Sequence, residues 1–289
     1  MSTDKKITFM LAVHNEEKRI RYVLENALVW ADEIIIFNKE SSDNTIEICK
    51  TYSNVVIVNL PFSLAGSDSA TENLKYATNE WVFISTASEM PTKKLIDSIK
   101  IVINNCDDIE LIYVPRRMYS FGINSDKSPW NIAYYPFMVN KNKAIIRDTI
   151  HNNFSPRNKD KTYTINYSED CCVYHLTHET ADLYMTRMSE YFVSEANNCT
   201  DPDKKIIECF RNISQYEKFL RENPGDLLGL YCAWSIYWLG TALFVWEKFR
   251  GIDVKSYYNS KREKLLKSEL DVNSELINKE AVPDPKWIF

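Results

Sequence analysis

Glycine is scarce in this chain of 289 residues: there are six, and Gly66 is the only one before position 122. A dinucleotide-binding turn (G-x-G-x-x-G) and a phosphate-binding loop (G-x-x-x-x-G-K-[ST]) both need closely spaced glycines, because the backbone must turn tightly and approach the phosphates. Neither motif occurs. The sequence therefore excludes both kinds of nucleotide-binding loop.

An excess of positive charge is also missing. The chain has 35 Lys and Arg against 40 Asp and Glu, which gives a formal net charge of −5. A general nucleic-acid binder needs a basic surface, so we expect no nucleic-acid partner. Hydrophobic residues make up 45% and charged residues 26% of the chain, which is ordinary for a soluble globular protein.

The seven cysteines are odd in number and form no C-x-x-C pair, so we expect neither a zinc site nor a disulfide framework. Reduced thiols are typical of the cytosol. The apolar run near the N-terminus is too short for a signal peptide. These features predict a cytoplasmic protein.

Apolar runs and helical patterns alternate in the first half of the chain. Four short runs rich in β-branched and aromatic residues are typical of buried parallel strands, and their spacing leaves room for a crossover helix in each gap. They are Ile7–Val13, Glu33–Phe37, Val55–Leu60 and Trp81–Ile84. Helices are predicted over Glu16–Trp30, after an N-cap at Asp43, and from Pro91 to Ile103. The order predicts an α/β fold that binds ligands outside the carboxyl ends of its strands.

The second half is less regular until Ala181, after which it is predicted to be helical. A strand is predicted at Glu110–Pro115, and short strands follow. These are near Tyr134–Val139, Ala144–Ile146, Tyr163–Tyr167 and Cys171–His175. We expect two units, an α/β domain at residues 1–200 and a helical region at residues 201–289 that docks on a membrane or on the core.

Residues Leu227–Trp246 form a stretch of 20 residues without a charge. Its length could span a bilayer, but its several Tyr and Trp residues favour an interface. Three interpretations stay open: a helix buried against the first domain, an interfacial membrane helix, and a membrane span.

Three motifs in the first 50 residues carry a resemblance to a known family. They are Asn15-Glu16-Glu17, Trp30-Ala31-Asp32-Glu33-Ile34, and the series Asn38, Ser41, Asp43, Thr45. Together they resemble the family 2 glycosyltransferases, whose fold is called GT-A, a Rossmann-like mixed sheet. The segment Arg116–Gly122, with His151 and His175 further on, is similar to the lipopolysaccharide-core glucosyltransferases within that family.

The resemblance implies a nucleotide-sugar donor, a glycan or glycolipid acceptor, and inversion at the transferred sugar. It also implies roles for particular positions. Donor-binding residues would be Ala12, His14, Asn15, Glu16, Asn38, Asn73, Thr86 and Ser88. Arg116, Arg117 and His175 would contact phosphates or the acceptor. For the catalytic groups we select Glu89, His151 and Asp170, with Asp148 and Glu169 as further candidates for the base.

Four positions depart from the family pattern. Asn38 replaces the base-contacting Asp, Glu72 replaces a basic residue, and Asn152 replaces an acid. The Asp-x-Asp that binds Mg²⁺ or Mn²⁺ in the family is Thr86-Ala87-Ser88 here, and hydroxyls are poor ligands for these ions. We therefore predict no metal ligands, although Glu89 alone could hold an ion weakly.

These departures leave two interpretations open. In the first, the chain is an active transferase in lipopolysaccharide or capsule synthesis, at the inner face of the membrane. Arg116, Arg117 or Lys127 then stabilises the leaving diphosphate without a metal. In the second, catalysis is lost and the fold persists as a binding or scaffold subunit.

Overall fold

The computed structural model describes residues 4–62, 73–146, 154–222, 225 and 227–268. The strands are β1 Ile7–Val13, β2 Glu33–Lys39, β3 Val55–Leu60, β4 Trp81–Ser85, β5 Glu89–Pro91, β6 Leu111–Ser120, β7 Ile132–Asn140, β8 Ile145–Ile146, β9 Phe154–Ser155, β10 Thr162–Thr164 and β11 Val173–Thr177. The helices are α1 Ile20–Leu28, α2 Thr45–Lys50, α3 Lys93–Asn105, α4 Ala181–Asn198, α5 Pro202–Glu222, α6 Leu228–Phe249 and α7 Val254–Ser268.

The main sheet is mixed, with the order β3-β2-β1-β4-β7-β6-β11-β5 and β10 beside β6. Strands β3, β2, β1 and β4 are parallel, and β7 runs antiparallel to both of its neighbours. The chain builds β2 and β3 on one side of β1 and then returns to place β4 on the other side. The order therefore reverses between β1 and β4, where open α/β sheets leave a crevice for ligands at the carboxyl ends of the strands.

Both faces of the central strands are buried, which explains why the sequence shows unbroken apolar runs there. Phe9 and Phe83 on neighbouring strands pack with Trp30 on one face, where the Phe9 and Trp30 rings are 5.5 Å apart. Met10 and Val82 belong to a second buried cluster. Because β1 and β4 are packed on both faces, their carboxyl ends form a rigid base for the crevice.

The C-terminal helices pack around α6. The Tyr184 hydroxyl on α4 donates to the Ala233 carbonyl, and Trp234 Nε1 donates to the Asn212 carbonyl on α5. Gly240 lies directly against the Phe192 ring, since a Cβ there would be 2.3 Å from the ring. One side of α6 is therefore held by α4 and α5.

The other side of α6 carries exposed apolar side chains at helical spacing, among them Leu239, Leu243 and Trp246. Of the helices in the described ranges, α6 is the one with the length and apolar composition to cross a membrane. Because one side packs against α4 and α5 and the other is exposed, α6 combines features of the buried and the interfacial interpretations.

Two helix starts differ from the sequence predictions. Pro91 ends the short strand β5, where it pairs with Val173, and the following helix begins at Lys93. Thr92 caps that helix, since its side chain accepts a hydrogen bond from the Leu95 N–H. A proline is tolerated both at a helix start and on an edge strand. Here the pairing of β5 with β11 places Pro91 in the strand.

The N-cap position of α2 is Asn44, one residue after the predicted Asp43, but the Asn44 side chain makes no capping bond. The Asp43 carboxylate instead accepts from the Thr45 N–H at 3.0 Å and from the Glu17 N–H at 3.1 Å. Aspartate commonly closes such a local turn with the residue two positions on. Asp43 therefore joins the loop after β2 to the start of the first helical segment.

Predicted ends of the later strands are shifted by a few residues. The structure has Thr162–Thr164 where the sequence predicted Tyr163–Tyr167, and Val173–Thr177 where it predicted Cys171–His175. The first helix begins at Ile20, after a turn in which the Arg19 N–H bonds the Glu16 carbonyl.

Candidate active site

Asn15 joins the two loops that follow β1 and β2. Its backbone has φ +54°, a left-handed conformation that asparagine tolerates better than most residues. Its side-chain Oδ1 accepts from the Ser42 N–H at 2.8 Å, and its own N–H donates to Ser41 Oγ at 3.1 Å. The loops at one edge of the crevice are therefore fixed to each other.

His14 and Asn38 form the neighbouring rim. The His14 Nδ1 lies 2.6 Å from the Lys39 carbonyl oxygen, and its ring is 4.5 Å from that of Phe62. Asn38 Oδ1 accepts from the Ser41 N–H, and its Nδ2 donates to Asn59 Oδ1, both at 2.9 Å. Both ends of the Asn38 amide are thus engaged within the protein.

Glu89 and Arg116 form a largely buried ion pair beside the carboxyl end of β4. Glu89 is 2% exposed, and its Oε1 lies 3.0 Å from Arg116 Nη1. The other oxygen accepts from the Thr86 N–H at 3.0 Å and from Ser85 Oγ at 3.1 Å. The Arg116 guanidinium also stacks 3.8 Å above the Tyr135 ring. These contacts fix a positive group at the crevice, and they leave both Glu89 oxygens engaged.

The residues at the family's metal position do not fit a divalent cation. Thr86 Oγ1 and Ser88 Oγ lie 3.0 Å apart and bond to each other, and neither is a carboxylate. Both Glu89 oxygens already accept hydrogen bonds, one from Arg116 and the other from the end of β4. In the part of the chain that the structure describes, no group of three His, Cys, Asp or Glu side chains could hold a metal ion. Mg²⁺ and Mn²⁺ prefer carboxylate oxygens.

A pocket of about 180 Å³ lies between the turn after β1 and the start of α4. On one side, Glu16 Oε2 bonds Arg19 Nη2 at 2.5 Å. On the other side, Arg187 Nη2 lies 3.8 Å from Glu16 Oε1. The lining also includes His178 and Tyr184. The first helix after the sheet thus contributes side chains to the crevice.

Two histidines beside this pocket are neutral at pH 7. Burial lowers the pKa of His175 to about 4, and it also lowers the pKa of His178 to about 4, with the Arg187 charge adding to the second shift. His178 Nδ1 lies 2.9 Å from Ser120 Oγ. Among the described residues, the buried Nδ1 of His175 has no hydrogen-bond partner.

The family model described as "Glycosyl transferase family 2" matches residues 8–175, which is more than half of the chain. The chain belongs to this family. The uncharacterized glycosyltransferase RP128 of Rickettsia prowazekii (strain Madrid E) is 26% identical over 212 residues, which cover 70% of each chain. A Rickettsia conorii relative, RC0292, is 24% identical over 71% of this chain and 74% of its own. The predicted α/β fold, a GT-A mixed sheet followed by helices, is confirmed.

Two solved structures are similar to this glycosyltransferase. Residues 1–349 of S. aureus TarS are 18% identical, with a TM-score of 0.40, over 82% of this chain and 78% of that one. Glucosyl-3-phosphoglycerate synthase from Mycobacterium tuberculosis, in complex with Mg²⁺ and UDP, is 11% identical with a TM-score of 0.42. That match covers 65% of this chain and 77% of the other.

The structure of this glycosyltransferase separates Asp170 and Arg117 from the crevice. Asp170 precedes β11, at the amino edge of the sheet, where its carboxylate is exposed and lies 3.0 Å from Lys94 Nζ. Arg117 points away from Arg116, because successive strand residues face opposite sides, and it bonds Glu169 and Asn124. Neither residue joins the Glu89–Arg116 pair.

Of the other predicted positions, Ala12 is partly buried on β1 opposite Phe37. Asn73 is buried, and within the described residues its Nδ2 has no partner. His151 lies outside the described residues, as do Glu72, Asp148 and Asn152.

Sequence reasoning missed Arg187 and the pocket role of His178. Arg187 lies on a helix without a recognisable motif, so no local pattern marks it. The sequence signal for this pocket is His178, which follows the predicted His175 by three residues.

Proposed function

We propose that this protein is an active, inverting glycosyltransferase that moves a sugar from a nucleoside-diphosphate sugar to a glycan or glycolipid. The observation that carries the proposal is the Glu89–Arg116 pair at the carboxyl end of β4. An inverting transfer develops negative charge on the departing diphosphate, and a fixed guanidinium stabilises that charge. Arg116 therefore supplies charge at the position where the family pattern has a metal.

The Glu89–Arg116 pair also favours activity over a silent scaffold. A buried ion pair adds little stability, because desolvation of both charges offsets their attraction. An apolar pair of similar volume would stabilise the sheet as well or better. A ligand that needs a guanidinium is therefore the better explanation for Arg116, whose side chain is 16% exposed. Glu89 then acts by holding Arg116 rather than by removing the proton from the acceptor.

For the acceptor, we propose a lipid-linked precursor of lipopolysaccharide or capsule, met at the inner face of the membrane. The exposed apolar side chains of α6 support this, together with the composition of α7. That helix has one acidic residue, Glu263, against five basic ones, which are Lys255, Lys261, Arg262, Lys264 and Lys267. A basic helix that follows a helix with exposed apolar side chains is typical of a segment that binds anionic lipid.

A flotation assay tests the membrane contact. The protein is expected to float with vesicles that contain phosphatidylglycerol and to stay in solution with pure phosphatidylcholine. The double variant Leu243→Ser, Trp246→Ser is expected to lose most of this binding, because it removes two exposed apolar side chains. Ile101→Ser, at an exposed site on α3, is the control. Equal flotation of all three proteins would argue against this surface.

Calorimetric titration with UDP-, CDP-, GDP- and dTDP-linked sugars tests the donor. We expect one nucleotide to bind clearly better than the others, because the rim at His14 and Asn38 has a fixed hydrogen-bond pattern. Absence of binding across the whole set would favour the silent-scaffold interpretation.

A further inference from the structure

Strand β7 has an irregular register next to Tyr135. Val114 on β6 pairs with Tyr135, but Ile112, two residues earlier, pairs with Met138, so three steps along β7 match two along β6. Two residues of β7, beginning with Pro136, therefore oppose the single residue between that pair on β6. Proline suits such a bulge, because it has no N–H to offer to the ladder.

The bulge decides which face of the sheet Tyr135 occupies. In a regular strand, residues three positions apart face opposite sides, so Tyr135 would point away from the side of Met138. The extra residue turns Tyr135 back to that side, which is also the side of Val114. Arg116 follows Val114 by two residues, so its side chain leaves β6 on the same face.

Tyr135 lies beneath the Arg116 guanidinium at the crevice. The centre of the guanidinium is 3.8 Å from the centre of the Tyr135 ring. The pairing of β7 with β4 ends at Met138 and Phe83, so Tyr135 lies beyond it, toward the carboxyl end of β4. The tyrosine is 36% exposed. The ring therefore supports the guanidinium at the edge of the crevice.

One hydrogen bond and one ring face hold the guanidinium. Its Nη1 donates to Glu89 Oε1 at 3.0 Å, and no other described residue accepts a hydrogen bond from Arg116. A single bond lets a planar group rotate about the direction of that bond, whereas stacking on an aromatic face fixes its plane. The contact with Tyr135 therefore gives Nε and Nη2 one direction.

We propose that Tyr135 is a positioning residue for sugar transfer, because its ring sets the plane in which Arg116 meets the departing diphosphate. This inference rests on the proposed function, which assigns that charge to Arg116. A guanidinium bonds phosphate through two parallel N–H groups, so the orientation of its plane matters as much as its charge. Donors fixed before the reaction need no reorganisation during it. Tyr135 thus acts through Arg116.

Turnover measurements test the assignment. The probes are the UDP-, CDP-, GDP- and dTDP-linked sugars, with release of nucleoside diphosphate as the signal and water as the acceptor. With the best of these donors, Tyr135→Leu is expected to lower kcat about tenfold and to change KM less than about twofold, because the charge develops in the transition state. Tyr135→Phe should stay within about threefold of the wild-type kcat, since it keeps the ring face.

Two further variants separate positioning from a structural role. Tyr134→Leu is the matched control, because Tyr134 is 44% exposed on the same strand and faces the other side of the sheet. It should have the wild-type kcat. Arg116→Lys replaces the planar group by an ammonium, which has no plane to set. In that background, Tyr135→Leu should lower kcat less than about twofold.

Three results would overturn the assignment and leave the proposed function standing. The first is a Tyr135→Leu variant with the wild-type kcat. The second is an equal loss in Tyr135→Phe, since that variant keeps the ring face. The third is a full tenfold loss from Tyr135→Leu in the Arg116→Lys background, which would show that the ring does not act through the guanidinium. A wild type that releases nucleoside diphosphate from none of the donors overturns the proposed function and this assignment together.

Discussion

Glu89→Gln is expected to destabilise the protein by about 3–5 kcal/mol and to abolish sugar transfer. The substitution leaves Arg116 as a buried charge without its carboxylate, and breaking one side of a buried ion pair has a cost of that size. It also weakens the acceptor for the Thr86 N–H, which helps to fix the end of β4. Urea unfolding measures the stability, and release of nucleoside diphosphate from the donor measures the turnover.

A double variant separates the structural effect of Glu89 from the functional one. Glu89→Gln combined with Arg116→Met removes the unpaired charge, so it is expected to regain most of the lost stability. It should still fail to transfer sugar, because the guanidinium that stabilises the diphosphate is gone. A stable double variant with wild-type turnover would show that the pair has no part in catalysis.

The stability of the protein is expected to fall by several kcal/mol as the pH drops from 6.5 to 4. The pKa values of His175 and His178 are about 4 in the folded protein, against 6.5 for an ordinary histidine. In this range the two histidines bind protons in the unfolded chain but not in the folded one. The free energy of unfolding therefore decreases as the pH falls. Each histidine contributes up to ~1.4 kcal/mol per pH unit across the window.

His175→Asn tests the source of this pH dependence. Thermal or urea unfolding between pH 4 and 7 should show a shallower loss of stability in the variant, because one of the two titrating groups is gone. Burial raises the pKa of Asp43, but hydrogen bonds from Thr45 and Glu17 lower it more, so the net shift is downward from 3.8. Asp43 therefore affects the free energy of unfolding mainly below about pH 4. A variant with the wild-type slope would show that His175 is not the buried neutral group described above.

The parts of the fold that the sequence could predict are those with a local pattern. The strands β1, β2 and β4 are recognisable because a strand buried on both faces must be apolar throughout. Asn15 and Asn38 are recognisable because they belong to the motifs that resemble the family. The first of them adopts the left-handed backbone that joins the loops.

The rest of the site depends on contacts between distant parts of the chain. Glu89 pairs with Arg116 only because β5, β11 and β6 are neighbours in the sheet. No local sequence pattern indicates that order. The direction of β11 places Asp170 at the amino edge of the sheet, away from the site. Arg187 reaches the crevice through the packing of α4 on α6. Such long-range relations are decided by tertiary packing rather than by propensity.

The most direct test of the account is to titrate the preferred nucleotide sugar by calorimetry in the presence of Mn²⁺ and, separately, of a chelator. The account predicts the same affinity in both, because Arg116 supplies the positive charge and the residues at Thr86 and Ser88 do not fit a metal ion. Binding that appears only with Mn²⁺ would contradict it, since a metal ion would then hold the diphosphate in place of the guanidinium.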